Sequence, residues 1–242
     1  MTEANVAGGL PIRIVDIGDL PADMLDEFYD DVLTPSFPDE ELLSPDALAA
    51  ALADPAGTMC ASVAVSDDGF VVGGAVGQWF PECRVLLTVY LATHPGRRGG
   101  GIGRAVLRAV RQEWLRRYDP LLILGEAEDP RHHRDRGFGD PGRRLAFYVN
   151  EGARVLDVPY FQPRLRPEDV RVPHLLLLAF AIDDRSRRGD GLDAAPVRCF
   201  LEKNLLANEG TIGDDPETSA LRNAVEGPVV QWADPLAAHH GS

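Results

Sequence analysis

Apolar and polar positions alternate over residues 12–17, where β-branched side chains dominate, and the pattern predicts a first strand. Residues 19–53 form an acidic, mostly helical stretch interrupted at Pro35, Pro38 and Pro45. Ser44-Pro45-Asp46 marks a helix start, because proline at the first helical position gives up no needed N–H. Two strand-like runs, 59–65 and 70–79, flank Ser66-Asp67-Asp68-Gly69, a hairpin turn. A third run, Val85–Thr93, follows Pro81-Glu82, and the three predict an antiparallel meander. The chain then passes through His94-Pro95-Gly96-Arg97-Arg98-Gly99-Gly100-Gly101-Ile102-Gly103 into a helix. On that helix Val106, Leu107, Val110 and Trp114 share one side, and Arg104, Arg108 and Arg111 the other.

Beyond it the pattern predicts a short buried strand over 121–124, a polar loop over 129–141 and a helix over 144–150. A strand over 154–158 and a buried strand at Leu175–Ile182 follow. Residues 183–193 are charged and glycine-bearing, and read as a linker before helices over 196–207 and 216–225. No internal repeat is visible. Strands before and after the glycine-rich turn make the class mixed α/β.

Composition adds limits. A chain of 242 residues with 45% hydrophobic side chains can bury a sizeable core. Its longest apolar runs fall short of the roughly 18 residues that would span a bilayer, so no membrane role is expected. Cys60, Cys83 and Cys199 have no metal-like spacing; with no N-terminal signal pattern they read as reduced thiols in a cytoplasmic protein. The net charge of −14 is unevenly spread: residues 1–96 hold 2 basic and 16 acidic side chains, whereas 97–144 hold 12 and 7, and all twelve are arginine. Such a surface repels a long nucleic acid and suits a compact phosphorylated ligand held by one arginine-rich segment.

The glycine loop is the main chemical signal. Glycines at a strand end let backbone N–H groups reach phosphate oxygens, and the positive end of the following helix adds attraction. The spacing is not that of a Walker A loop, since Gly101 is followed by Ile102-Gly103, nor does a third glycine complete a dinucleotide fingerprint. Arg98-x-x-Gly101-x-Gly103, directly after Thr93-His94-Pro95, resembles the acetyl-CoA loop of the GNAT acetyltransferase superfamily. Phe147-Tyr148-Val149-Asn150-Glu151-Gly152-Ala153 is similar to that family's Phe-Tyr-x-x-x-Gly-Phe motif, with Ala153 in place of the usual aromatic. The resemblance covers roughly residues 12–161.

The resemblance implies a central mixed sheet in which residues 85–93 and 121–124 form a splayed parallel pair around acyl-CoA. It implies a transferase domain over residues 10–182, with 183–242 a linker and helical extension. Pantetheine would bond the backbone near Leu91, Ala92 and Thr93, and the pyrophosphate would sit on Arg98, Gly99, Gly100, Gly101, Ile102, Gly103 and Arg104. The implied reaction is direct attack of an amine on the thioester, without metal and without a covalent enzyme intermediate. Tyr148 is the family-matched acid for the leaving thiolate. A carboxylate would take the amine proton: Glu126 first, with Glu128 and Glu82 as alternatives. The acidic N-terminal third favours a small cationic primary amine. A protein lysine or N-terminus, or an acyl-CoA-binding sensor or scaffold without turnover, are the alternative readings, and a homodimer is allowed. Arg131, Arg134, Arg136, Arg143 and Arg144 have three roles open: binding the 3′-phosphate, pairing with local acids, or contacting a carboxylated acceptor. His132-His133 reads as loop rather than metal pair, because adjacent side chains diverge.

Overall fold

A computed structural model describes residues 2–4, 12–16, 22–99, 101–164, 166 and 169–234. The chain divides into two compact units, one of Met1–Pro120 with Asp135–Gly139 and one of Leu121–Arg134 with Asp140–Ser242.

In the first unit, β1 (Thr2–Ala4), β2 (Ile12–Asp16), β3 (Met59–Ser66), β4 (Val71–Phe80) and β5 (Val85–Thr93) lie in chain order, each antiparallel to the next. The expected meander is present, and Gly69 supplies the positive φ of 89° that its first turn requires. The acidic stretch folds as α1 (Ala22–Glu27), a π-helical segment Phe28–Leu33, a 3₁₀ turn Asp39–Glu41 and α2 (Pro45–Ala53). Ser44 Oγ accepts from the Ala47 N–H at 3.3 Å and Pro45 opens α2, as the Ser-Pro pair predicts. Phe28, Val32 and Leu33 enter a core with Val63, Val76 and Tyr90. A Cβ at Gly74 would stand 2.8 Å from the Phe28 ring, so a bare backbone lets that segment lie against β4. Helix α3 (Ile102–Tyr118) buries Val106, Leu107, Val110 and Trp114 and leaves Arg104 and Arg108 exposed.

In the second unit, β6 (Leu122–Glu128), β7 (Arg154–Leu156), β8 (Leu175–Ile182) and β12 (Trp232–Ala233) pair antiparallel in the order β6-β8-β7-β12. Helices α4 (Pro141–Asn150), α5 (Ala194–Glu209) and α6 (Pro216–Ala224) accompany them. A small second sheet, order β11-β10-β9, joins β9 (Arg187–Arg188), β10 (Gly191–Asp193) and β11 (Val229–Val230). The mixed α/β class holds, with helices α5 and α6 at the C-terminal end.

Three expectations change. The strand over 121–124 runs on to Glu128, because Gly125 and Ala127 continue its buried positions between half-buried Glu126 and Glu128. The segment 183–193 is a 3₁₀ turn followed by a β9–β10 ladder rather than a linker. Cys60 is a free thiol, but Cys83 and Cys199 are disulfide-bonded, against the expectation of three reduced cysteines.

Candidate active site

In the first unit β5 carries a bulge. Gly77 faces Thr88 and Val76 faces Tyr90, which leaves Val89 without a partner in the register. Past the bulge, Leu91, Ala92 and Thr93 lie opposite Ala75, Gly74 and Gly73. Tyr90 and Ala92 point into the core, while Leu91 and Thr93 are half-buried on the other face. A Cβ at Gly73 would stand 2.7 Å from the Ala92 carbonyl oxygen, so glycine permits this close pairing.

The loop after β5 is built from local bonds. His94 Nδ1 accepts from the Gly96 N–H at 3.0 Å, and the Arg97 N–H donates to the His94 carbonyl at 2.9 Å. Gly99 and Gly101 have φ of 101° and 86°, a conformation that L side chains rarely adopt. Gly100 lies outside the described residues. Gly101 is the N-cap of α3 and brings no side chain to it, and the Ile102 N–H donates to the Gly99 carbonyl at 3.3 Å. Arg98 Nη2 lies 3.4 Å from Ser36 Oγ, and Arg97 pairs with Asp68 at 3.5 Å. Glu82 sits exposed in the turn between β4 and β5 of this unit.

The second unit holds Tyr148, Glu126 and Glu128. Asp140 caps α4 by accepting from the Arg143 N–H at 2.7 Å, and the helix buries Leu145 and Tyr148. The Tyr148 ring meets Phe180 edge-on at 5.0 Å. Phe180 in turn covers Gly125, where a Cβ would stand 2.2 Å from the ring. Burial pushes the Tyr148 hydroxyl above its ordinary range, and the Arg144 guanidinium, one helical turn earlier, partly offsets this. The hydroxyl is therefore protonated at neutral pH, and among the described residues no hydrogen bond engages it.

Side chains of β6 alternate between faces, so Glu126 and Glu128 share the face opposite to Gly125 and Phe180. The Tyr160 hydroxyl donates to Glu126 Oε1, and Gln162 Nε2 lies 3.5 Å from Oε2. Asn204 of α5 donates to the Tyr160 oxygen at 3.3 Å. Glu128 has Arg144 at 3.4 Å and His133 at 3.7 Å. Three of the arginines with open roles thus meet acids within their own unit: Arg144 with Glu128, Arg131 with Asp129 at 2.6 Å, and Arg136 with Glu41 at 2.9 Å. His132 stacks on His174 at 4.0 Å. Sequence reading misses Tyr160, Gln162 and Asn204, which lie 34 or more residues from Glu126 and form no local motif. It also misses Ser36 beside Arg98.

Among the described residues no three His, Cys, Asp or Glu side chains could together hold a metal ion, and no helix is long and apolar enough to cross a membrane.

The model of the Acetyltransferase (GNAT) family matches residues 22–138. Two solved structures share the fold. A candidate GNAT-family acetyltransferase from Bacteroides thetaiotaomicron is 23% identical, with a TM-score of 0.55 over 73% of this chain and 89% of that one. A tandem GNAT protein from the clavulanic acid biosynthesis pathway is also 23% identical, with a TM-score of 0.51 over 62% of this chain and 46% of that one. No curated protein matches. The two structures show that this chain has the GNAT fold, and the family model covers just under half of it.

Proposed function

We propose that the chain is an N-acetyltransferase that moves an acetyl or other short acyl group from CoA to a primary amine, most simply a small cationic one. The observation that carries this reading is the loop before α3. Two left-handed glycines and an N-cap without a side chain bring bare backbone and the positive helix end to this loop, where any Cβ would strain the chain and where a phosphate would be attracted. The residues fit the pyrophosphate of CoA. Residues 98–104 would hold it, and the backbone of Leu91, Ala92 and Thr93 beyond the β5 bulge would bond the pantetheine arm.

CoA supplies an activated thioester carbonyl, and the rest is proton handling by this chain. Glu126, with Glu128 and Glu82 as alternatives, would take a proton from the ammonium so that the neutral amine attacks the carbonyl carbon. As the C–S bond breaks, the Tyr148 O–H would protonate the leaving sulfur. The new C–N bond and the broken C–S bond balance without a covalent enzyme intermediate. Tyr148 and Glu126 lie toward opposite faces of β6. The acidic N-terminal third supports a cationic acceptor. No nucleic-acid or membrane partner belongs to this reading.

The test is release of CoA thiol from acetyl-CoA against pooled primary amines, with mass spectrometry of the products. Acetylation of an amine by the wild-type protein, weakened by Tyr148→Phe and Glu126→Gln, is the expected result. Acetyl-CoA that binds and is never turned over across the pool would sink the catalytic reading.

A further inference from the structure

Glu126 is held by a relay that starts on a different element. Tyr160, in the segment between β7 and β8, is buried with its hydroxyl donating to Glu126 Oε1. That hydroxyl oxygen accepts from Asn204 Nδ2 at 3.3 Å, and Asn204, also buried, sits in the middle of α5. Asn204 is itself oriented by Asn208 one turn on, whose Nδ2 donates to Asn204 Oδ1 at 2.9 Å. Hydrogen bonds therefore run in one direction, from Asn208 to Asn204 to Tyr160 to the carboxylate. Burial, then the neighbouring Glu126 charge, hold the Tyr160 hydroxyl well above its ordinary range, so it stays a donor.

We propose that Tyr160 and Asn204 are positioning residues that fix the Glu126 carboxylate for proton abstraction from the amine, which makes helix α5 a working part of the acceptor side. The proposal rests on Glu126 being the base. Two consequences follow from hydrogen-bond chemistry. A donor aimed at one carboxylate oxygen removes rotational freedom from the side chain. It also favours the ionised form, so the carboxylate is ready at lower pH than it would be unaided. Leu177, opposite on β8, is apolar. Glu128, two residues along the same face, would raise the proton affinity of Glu126, and its own charge is countered by Arg144 at 3.4 Å.

Tyr160→Phe keeps the ring and removes the donor. The carboxyl carbon of Glu126 is followed by ¹³C NMR through a pH titration in glutamate-labelled protein, its signal assigned by loss in Glu126→Gln. The pH–rate profile is then recorded with acetyl-CoA and the primary amine turned over fastest in the pool. The NMR midpoint and the acidic limb of the profile should both rise, by about one pH unit, as expected when a charge-assisted donor is lost. Asn204→Ala should move both in the same direction by less, and it serves if Tyr160→Phe does not fold. A limb that disappears in Glu126→Gln but stays unmoved in the folded Tyr160→Phe or Asn204→Ala variant would overturn the positioning role alone. A limb that persists in Glu126→Gln would remove Glu126 as base, and the positioning role with it.

Discussion

Tyr148 and Glu126 differ in what holds their polar atoms, and that difference sorts their proposed roles. The Tyr148 ring is fixed by Phe180, yet its hydroxyl is unengaged among the described residues. A group kept neutral by burial and left without a partner suits proton donation to a leaving thiolate. Tyr148→Phe should preserve folding and acetyl-CoA affinity while slowing turnover at least roughly tenfold, since general acid catalysis contributes about 10²–10⁴. Pre-steady-state kinetics with chemistry limiting would check it; unchanged turnover would make Tyr148 a packing residue. Arg98 is a second case. Among the described residues it meets the Ser36 hydroxyl at 3.4 Å, a weak bond for a guanidinium. Arg98→Ala should raise the Kd for CoA by about tenfold or more, given about 1.5–3 kcal/mol for a charged hydrogen bond, and leave saturated turnover near normal. Calorimetric titration with CoA reads the first part, and a fall in turnover at unchanged affinity would contradict the assignment.

At the scale of elements, one guanidinium joins the ends of α5 and α6 to the segment before β8. Arg171 bonds Glu209 at the end of α5 through Nε at 2.8 Å and Nη2 at 2.7 Å, and reaches Asp215, the N-cap of α6, at 2.8 Å. Glu209 is 2% exposed and Asp215 39%, so the first pair is the stronger. Arg171 holds the Glu209 carboxyl below its ordinary range. The Thr218 N–H, then Arg171, do the same for Asp215. Depressed folded pKa values give stability that is complete above the unfolded values, near 4, and lost as pH falls through the folded ones. Acid should therefore weaken the second unit below about pH 4, and Arg171→Ala should cost about 3 kcal/mol at neutral pH while flattening that acid dependence. Urea denaturation at pH 7 and at pH 3 measures both. Equal losses at the two pH values would show that the clamp is not ionic.

Legibility follows the same division. Elements whose signal is local were readable. Ser44-Pro45 fixed the start of α2, and the apolar run at Leu175–Ile182 matched β8 residue for residue. Elements whose signal is distant were not. The continuation of β6 past Leu124 depends on Phe180 filling the space over Gly125, and β12 is two residues whose identity comes from pairing with β7. The glycine loop was visible because positive φ leaves a compositional mark. The Tyr160–Asn204 relay was not, since a buried tyrosine and a helical asparagine look ordinary until the fold joins them.

For the whole molecule, the proposed acyl-CoA chemistry rests on the partial family match, the shared fold and the glycine loop before α3. A ligand that binds only the folded chain stabilises it by an amount set by concentration and Kd, about 2.7 kcal/mol at one hundred times Kd. The most direct measurement is therefore denaturant unfolding of the full chain with and without acetyl-CoA, wild type beside Gly101→Val. The account predicts a rise of that size for the wild type, and little or none for a folded Gly101→Val protein, whose left-handed cap position the valine strains. Unfolding of the wild type that is unmoved by millimolar acetyl-CoA would contradict it.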